Sequence, residues 1–302
     1  MGKKVIPGRR KKYNLLFMTL PFMIIVLLFN YVPIFGWIYS VFDYIPGVSV
    51  FDCDFVGLDY FRLIFKDANV VRTLKNTFIF AVIGIVLTPL PMFFAILLNE
   101  IKCGPVRRVV QTFTTLPNFI SWVLVYSMAF SLFSTSGMMN TFLQQLGILS
   151  KPVQFLQDNT HTWLSMWLWG QWKGLGWGAI MYLAAISGID QELYEAARVD
   201  GAGRFRLIWH ITVPSLLPTF FVLLIMNVAN FLNNGMDQYF VFQNAFNTSK
   251  IQVLDLYVYN LGIKAGNYSL ATAISMLKSI VSVTLLFTVN GISKVLRGES
   301  IV

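Results

Sequence analysis

The 302 residues are 56% hydrophobic and 16% aromatic but only 12% charged, with a mean hydropathy of +0.64; a water-soluble domain carries about a quarter charged residues, so this composition describes an integral membrane protein. The formal net charge of +9 invites a nucleic-acid reading, but the Lys and Arg residues sit in short patches flanking apolar runs, which is how the positive-inside rule writes membrane topology.

The chain opens on Lys3, Lys4, Arg9, Arg10, Lys11 and Lys12 with no acid among them, so residues 1–14 read as a cytoplasmic N-terminus. Residues 15–39 form an apolar run too long for a secretory signal and without a small-residue cleavage site. They read as a first span, with Pro21 and Pro33 near its ends. Residues 42–75 carry nearly balanced charge and suit the outer side. A core of five further spans is expected over residues 76–291. The second span is 76–98, kinked at Pro89 and Pro91; Lys102, Arg107 and Arg108 mark the return to the cytoplasm. The third is 109–133, followed by an outer loop at 134–160 with a short amphipathic piece. The fourth is 161–186, the fifth 216–235, and after an outer loop at 236–269 the sixth is 270–291. Residues 292–302 carry Lys294 and Arg297 and close the chain in the cytoplasm. Twice as many Lys and Arg then fall inside as outside.

Neither metal nor nucleotide chemistry finds residues here. Cys53 and Cys103 are placed on opposite sides of the membrane and cannot bridge. His161 and His210 are far apart and have no Cys neighbours, so neither supports a metal site. No Gly-rich loop ending in Gly-Lys-Ser/Thr occurs, so the chain does not bind ATP in that manner.

Between the fourth and fifth spans lies a polar segment with its own pattern, YEAARVDGAGRFRLIWHITVPSLLP over residues 194–218. Glu195, Ala196, Ala197 and Arg198 favour helix, and Gly201 and Gly203 allow a sharp turn. Phe205, Leu207, Ile208 and Trp209 give a second amphipathic piece that Pro214 should stop. A helix-turn-helix of this kind across residues 188–215 can enter a groove in another protein; an interfacial loop anchored by Trp209 is the plainer reading. The spacing Glu195-Ala196-Ala197, Gly201, Ile211, Val213, Pro214 resembles the Glu-Ala-Ala loop of the permease subunits of binding-protein-dependent ABC importers, departing only in Val213 for Leu. The resemblance implies that Glu195, Ala196, Ala197, Asp200, Gly201, Gly203, Phe205, Ile208, His210 and Pro214 couple the chain to an ATPase. The whole chain is similar to the maltose-type sugar permeases, and residues 31–44 and 56–65 look most like those paired with oligosaccharide or aldouronate uptake.

Polar and aromatic groups inside spans are candidates for an internal site, because facing lipid is costly for them. Asn227, Asn230 and Asn234 lie at helical spacing with Phe231 and Asn233 beside them, and carboxamides offer both donors and acceptors to hydroxyls. Interhelical hydrogen bonding is the other use of such residues. The resemblance places Asn227, Asn230, Phe231 and Asn234 at sugar-contacting positions, and matches Trp172, Lys173, Gly174 and Trp177 to a Trp-x-Gly-x-x-aromatic stretch lining the sugar site. Asn118 in the third span is a further candidate. Trp163 and Trp167 read as an interfacial belt, and Gly170, Gly174 and Gly178 permit close helix packing. Lys173 and Lys278 are the basic residues inside spans; each either meets a carboxylate on an acidic sugar or snorkels or pairs with a partner subunit.

The resemblance thus implies an all-α integral membrane protein of about six transmembrane helices with the type I ABC importer permease fold. It would sit in a bacterial inner or plasma membrane with both termini cytoplasmic. Its partners would be a second homologous permease, two ATPase subunits that hold ATP and Mg, an extracellular binding protein, an oligosaccharide and membrane lipid, with no nucleic acid. The chain itself would have no catalytic residue, bound cofactor or metal. The same machine carrying glycerol phosphate, a peptide or an anion is the near alternative. A membrane-embedded lipid enzyme would want clustered His, Asp or Glu, which the dispersed acids do not provide, and a stand-alone channel leaves the motif loop without a use.

Overall fold

The computed structural model describes residues 9–157 and 159–297, with side chains from 16 to 291 apart from residue 158. The charges expected to fix the cytoplasmic termini, Lys3 to Lys12 and Lys294 with Arg297, lie outside the described residues or side chains. Among the described residues the regular structure is helical, with one isolated antiparallel bridge between Phe42 and Phe55.

The first apolar run is a single rod: α1 (Arg9–Val26) passes through a wide π turn, Leu27–Tyr31, into the 3₁₀ segment Val32–Val41. Pro33 sits in the first turn of that segment, where its missing N–H is no loss. The short α2 (Asp59–Lys66) is followed by α3 (Ala68–Val86), capped by Asp67, whose carboxylate accepts the Asn69 N–H at 2.8 Å. The expected kink in the second span is a break at Leu87 and Thr88, after which Pro89 begins α4 (Pro89–Asn99).

The third expected span is also two pieces. After α5 (Gly104–Thr115), the 3₁₀ turn Leu116–Phe119 redirects the chain, and Ser121 caps α6 (Trp122–Phe133) by accepting the Leu124 N–H at 3.4 Å. The short helix expected in the next connection is α7 (Met138–Gln145). The long α8 (Thr162–Ser187) leads into α9 (Gln191–Val199), α10 (Arg204–Leu207), a π turn at Ile208–Thr212, and α11 (Val213–Ala229). Three short helices, α12 (Asp237–Phe242), α13 (Thr248–Ile251) and α14 (Leu254–Tyr259), precede α15 (Tyr268–Arg297).

By length and composition, five described runs can cross a membrane: Leu16–Val41, Ala68–Asn99, Trp122–Gln145, Arg204–Ala229 and Tyr268–Gly291. The expected span missing from these five is the fourth, which is α8. Its 26 residues extend about 39 Å at 1.5 Å per residue, but Gln171, Lys173 and a run of Trp and Gly dilute its apolarity. One face of α8, with Met166, Gly176, Ala179, Tyr182, Leu183 and Ile186, is buried in protein, while Leu164, Leu168 and Met181 on the other stay exposed.

The chain divides into two compact bodies. One is formed by the described part of Met1–Lys66 together with Val258–Leu277. In it the Tyr44 N–H donates to Ser269 Oγ at 2.9 Å, Tyr44 packs edge-on against Tyr268, and the Tyr60 hydroxyl donates to Asp43. Burial and then the Asp43 carboxylate push the Tyr60 phenol up to about 12, so it stays a neutral donor at any physiological pH.

The second body, Asp67–Tyr257 with the described part of Lys278–Val302, holds two apolar clusters. Phe80, Val125, Ala129, Met166, Tyr239, Phe242, Ile251, Val253 and Leu256 form one. Met92, Ala95, Ile96 and Leu98 of α4 pack on Ala179, Tyr182, Leu183 and Ile186 of α8 and Leu216 of α11 in the other. Helix α8 therefore runs through both. Its tightest contact is at Gly176, where a Cβ would stand 2.3 Å from the Thr114 carbonyl of α5; at Gly178 the nearest atom would be Pro91 at 3.3 Å, and at Gly174 nothing lies within 4 Å. The close approach falls between the glycines that the every-fourth-residue pattern singled out.

Overpacking costs roughly 1–3 kcal/mol or more when backbone must move. Gly176→Ala is therefore expected to lower the thermal midpoint of the purified protein and its yield of folded material, while Gly174→Ala leaves both unchanged; fluorescence-monitored melts in detergent test the pair.

Candidate functional site

A cavity of about 480 Å³ opens in the second body beside the break between α3 and α4. Phe80, Ala81 and Gly84 of α3, Thr88 and Pro91 at the break, Gln171, Trp177 and Tyr182 of α8, and Leu223 and Asn227 of α11 line it, together with Asn230, Phe231, Asn233 and Asn234. The last four do not continue the α11 stripe that the helical spacing suggested. The helix ends at Ala229, Asn230 is its C-cap, and Asn233 and Asn234 lie in the turn beyond. Asn side chains compete for backbone partners, and Asn230 Nδ2 does so, donating to the Met226 carbonyl at 2.9 Å while its Oδ1 accepts from Asn233 Nδ2 at 3.2 Å. Asn234 Nδ2 donates to the Thr77 carbonyl at 3.1 Å. Phe231 stacks edge-on to Phe78, and Trp177, half exposed, packs at right angles to Phe119.

Of the sequence-based candidates, Trp177, Asn227, Asn230, Phe231 and Asn234 thus share one wall. Thr88 and Tyr182 join it unannounced. Thr88 has a signal in hindsight, standing directly before the Pro89-Leu90-Pro91 breaker; Tyr182 has none. It is 1% exposed and its hydroxyl has no hydrogen-bond partner among the described residues. Among the described residues no charged side chain lines the cavity. The wall offers amide donors and acceptors, one threonine hydroxyl and aromatic faces.

The other candidates go elsewhere. Lys173 stands about 200° around α8 from Gln171, so it cannot share that residue's face; its Nζ donates to the Asn118 carbonyl at 2.6 Å and lies 5.5 Å from the Trp122 ring centroid. Lys173 and Asn118 therefore meet each other, tying α8 to the turn between α5 and α6. Trp172 packs on Trp169 and lines a separate apolar groove with Phe133, Phe155 and Leu168. Gly174 faces open space. Trp163, assigned to an interfacial belt, donates its Nε1 to the Lys250 carbonyl at 3.1 Å. Lys278 pairs with Asp255 of the same chain, which is none of the acidic sugar, snorkelling or partner subunit expected for it.

The motif residues form a helix-turn-helix. Asp190 caps α9 by accepting the Glu192 N–H at 3.0 Å, and Gly201 closes the helix in the left-handed region at φ +78° while the Ala202 N–H returns to the Ala197 carbonyl at 2.9 Å. Gly203 caps α10 with φ −75°. Glu195, Ala196 and Asp200 are exposed, and Val199 and Phe205 stand 88% and 89% exposed, an apolar knob that no described residue covers. Ala197, Asp200, Ala202, Arg206, Leu207, His210 and Ile211 line a shallow cleft of about 220 Å³, and His210 Nδ1 lies 3.0 Å from the Arg206 carbonyl. Pro214 does not stop the second helix. The helical path widens through Ile208–Thr212 and continues into α11 with Pro214 in its first turn, because a π turn relieves the clash and the lost N–H that proline brings. Tyr194 hydroxyl to Thr212 Oγ1 at 2.9 Å ties α9 to the π turn before α11, and Arg204 to Glu100 at 3.6 Å ties α10 to the end of α4.

The family described as binding-protein-dependent transport system inner membrane component matches residues 87–292. The protein LplB of Bacillus subtilis is 38% identical over 288 residues, 95% of this chain and 90% of that protein. The polygalacturonan/rhamnogalacturonan transport system permease protein YteP of the same organism is 36% identical over 294 residues, 97% of this chain and 91% of that one. A chain in the crystal structure of a bacterial ABC transporter involved in the import of the acidic polysaccharide alginate superposes with a TM-score of 0.87 at 30% identity, covering 95% of this chain and 97% of the other. A second, from the alginate transporter in complex with its alginate pentasaccharide-bound periplasmic protein, gives 0.87 at 29% identity, covering 99% and 100%.

Lys173→Met leaves the Asn118 carbonyl without its charged donor, a loss of about 1–3 kcal/mol. The expected result is a lower thermal midpoint in detergent by the same amount with and without added ligand, which separates a tie between helices from a ligand contact.

Proposed function

We infer the role of this protein from one premise: the chain belongs to the family of binding-protein-dependent transport system inner membrane components. It is an ABC importer permease of the sugar and oligosaccharide type, a transporter subunit of the inner membrane. We propose further that it takes up an oligosaccharide delivered by an extracellular binding protein, working beside a second homologous permease and two ATPase subunits, with both of its termini in the cytoplasm.

The observation that carries the mechanism is mechanical. The run Arg204–Ala229 is one helical path that starts in the exposed helix-turn-helix and ends at the Asn230 cap in the cavity wall. In this reading Val199 and Phe205, with Glu195 beside them, seat in the ATPase; nucleotide-driven closure moves α9 and α10, and α11 carries the movement to the cavity. The Arg204–Glu100 pair spreads it to the end of α4. Alternating access of this kind asks for no covalent chemistry from the chain; ATP and Mg belong to the ATPase subunits.

The cavity supports a sugar substrate. Asn227, Asn230, Asn233 and Gln171 offer both donors and acceptors to hydroxyls, and Trp177 and Phe231 offer faces to the apolar side of a pyranose. Alginate and polygalacturonan carry carboxylates, but here Lys173 is engaged with Asn118 and Lys278 with Asp255. That argues against either lysine meeting a sugar carboxylate, and in this reading the subunit reads hydroxyls.

The test is the reconstituted assembly with its binding protein. Sugar-loaded binding protein should stimulate ATP hydrolysis; Glu195→Lys, which reverses charge on the docking face, should abolish the stimulation; and Asn230→Ala, removing one amide at about 1–2 kcal/mol, should lower sugar transported per ATP roughly tenfold. If the subunits co-purify but no sugar stimulates any variant, the substrate is a non-sugar solute such as glycerol phosphate, a peptide or an anion.

A further inference from the structure

The turn that carries Asn233 and Asn234 into the cavity wall is fixed by a charged pair that never reaches the cavity. Asp255 accepts the Gly235 N–H on Oδ2 at 3.1 Å, and its Oδ1 pairs with Lys278 Nζ of α15. Both side chains are largely buried, 15% exposed for the lysine and 21% for the aspartate. Gly235 has φ +74°, so its N–H points where a residue in the right-handed region would not send it. The neighbouring backbone closes a ring. Asn234 donates to the Thr77 carbonyl at 3.1 Å, and the Thr77 hydroxyl accepts the N–H of Leu254, the residue before Asp255, at 2.8 Å. Thr77 is fully buried.

A buried ion pair adds little net stability, because desolvation offsets its attraction, but removing one partner leaves an uncompensated charge. What the pair does here is geometric. We propose that Lys278 and Asp255 are positioning residues for substrate selection: the lysine holds the aspartate in the one orientation that pins Gly235, and this places Asn233 and Asn234 in the wall. The inference rests on the cavity being the substrate site. Lys278 touches no substrate; it acts through Asp255 and the turn.

The experiment uses the reconstituted assembly at saturating sugar-loaded binding protein and reads sugar transported per ATP, basal ATP hydrolysis and the thermal midpoint. The variants are Asp255→Glu, Lys278→Met, the exchange Asp255→Lys with Lys278→Asp, and Asn234→Ala. Asp255→Glu keeps the charge but moves the carboxylate by one methylene, and should lower transport per ATP about tenfold, equivalent to ~1.4 kcal/mol, with basal hydrolysis unchanged; Lys278→Met should do the same. The exchange restores the ion pair, yet a lysine at 255 cannot accept the Gly235 N–H, so the thermal midpoint should return while transport per ATP stays low. Recovery of transport in the exchange, or wild-type transport in Asp255→Glu, overturns the proposal. If either happens while Asn234→Ala still lowers transport, the cavity reading survives alone; if Asn234→Ala is also silent, both fall. Should the single variants fail to assemble, the exchange against wild type decides.

Discussion

A backbone amide or carbonyl left unpaired in hydrocarbon costs several kcal/mol, so a membrane chain that breaks its helices must place each break within protein or beside a water-filled space. Here the helical path is interrupted at Leu87 and Thr88, at Leu116–Phe119 and after Ala229, and widened without a break at Ile208–Thr212. Two of them, the α3–α4 break and the end of α11, open on the same cavity. The third interruption and the widened turn frame α8 and the helix-turn-helix. The interruptions concentrate what the chain can do, because there backbone and side-chain polar groups face something other than their own helix, as Gln171 of α8 and Asn227 of α11 also do.

Helix α8 makes that arrangement possible. One of its faces packs on α4, α5 and α11, and Gln171 and Lys173 are part-buried while Leu164, Leu168 and Met181 stay exposed. Gly176 against the Thr114 backbone brings α5 close enough that Lys173 can reach the Asn118 carbonyl. One missing Cβ and one ammonium group thereby hold the turn that presents Phe119 to Trp177.

The sequence made local features legible and left the distant ones closed. The helix-turn-helix was readable because its caps, its Gly201 turn and its apolar positions all lie within some twenty residues. Only the role of Pro214 was misjudged, since a π turn has no sequence signature to set against a proline's usual effect. The asparagines were recognised by type, but their placement on a helical stripe failed because helix α11 ends where Asn230 turns back on Met226, an outcome set by tertiary packing and not by spacing. Gly176 was passed over for neighbours at the more regular interval, and α5 is what selects it. Asp255 sat in a connection expected to be an outer loop, and nothing in its surroundings advertised a lysine 23 residues later. Thr88 and Tyr182 reach the cavity through folds of the chain that no periodicity encodes.

The uncharged lining of the cavity has an electrical consequence. Moving one elementary charge across a membrane is worth about 2.3 kcal/mol per 100 mV, so a wall that changes sides without carrying charge does no work on or against the membrane potential. A neutral sugar passing it would be indifferent to whether the cell is polarised. For an anionic sugar the interior-negative potential adds that cost for every carboxylate, and this subunit supplies no cation along its lining to offset it.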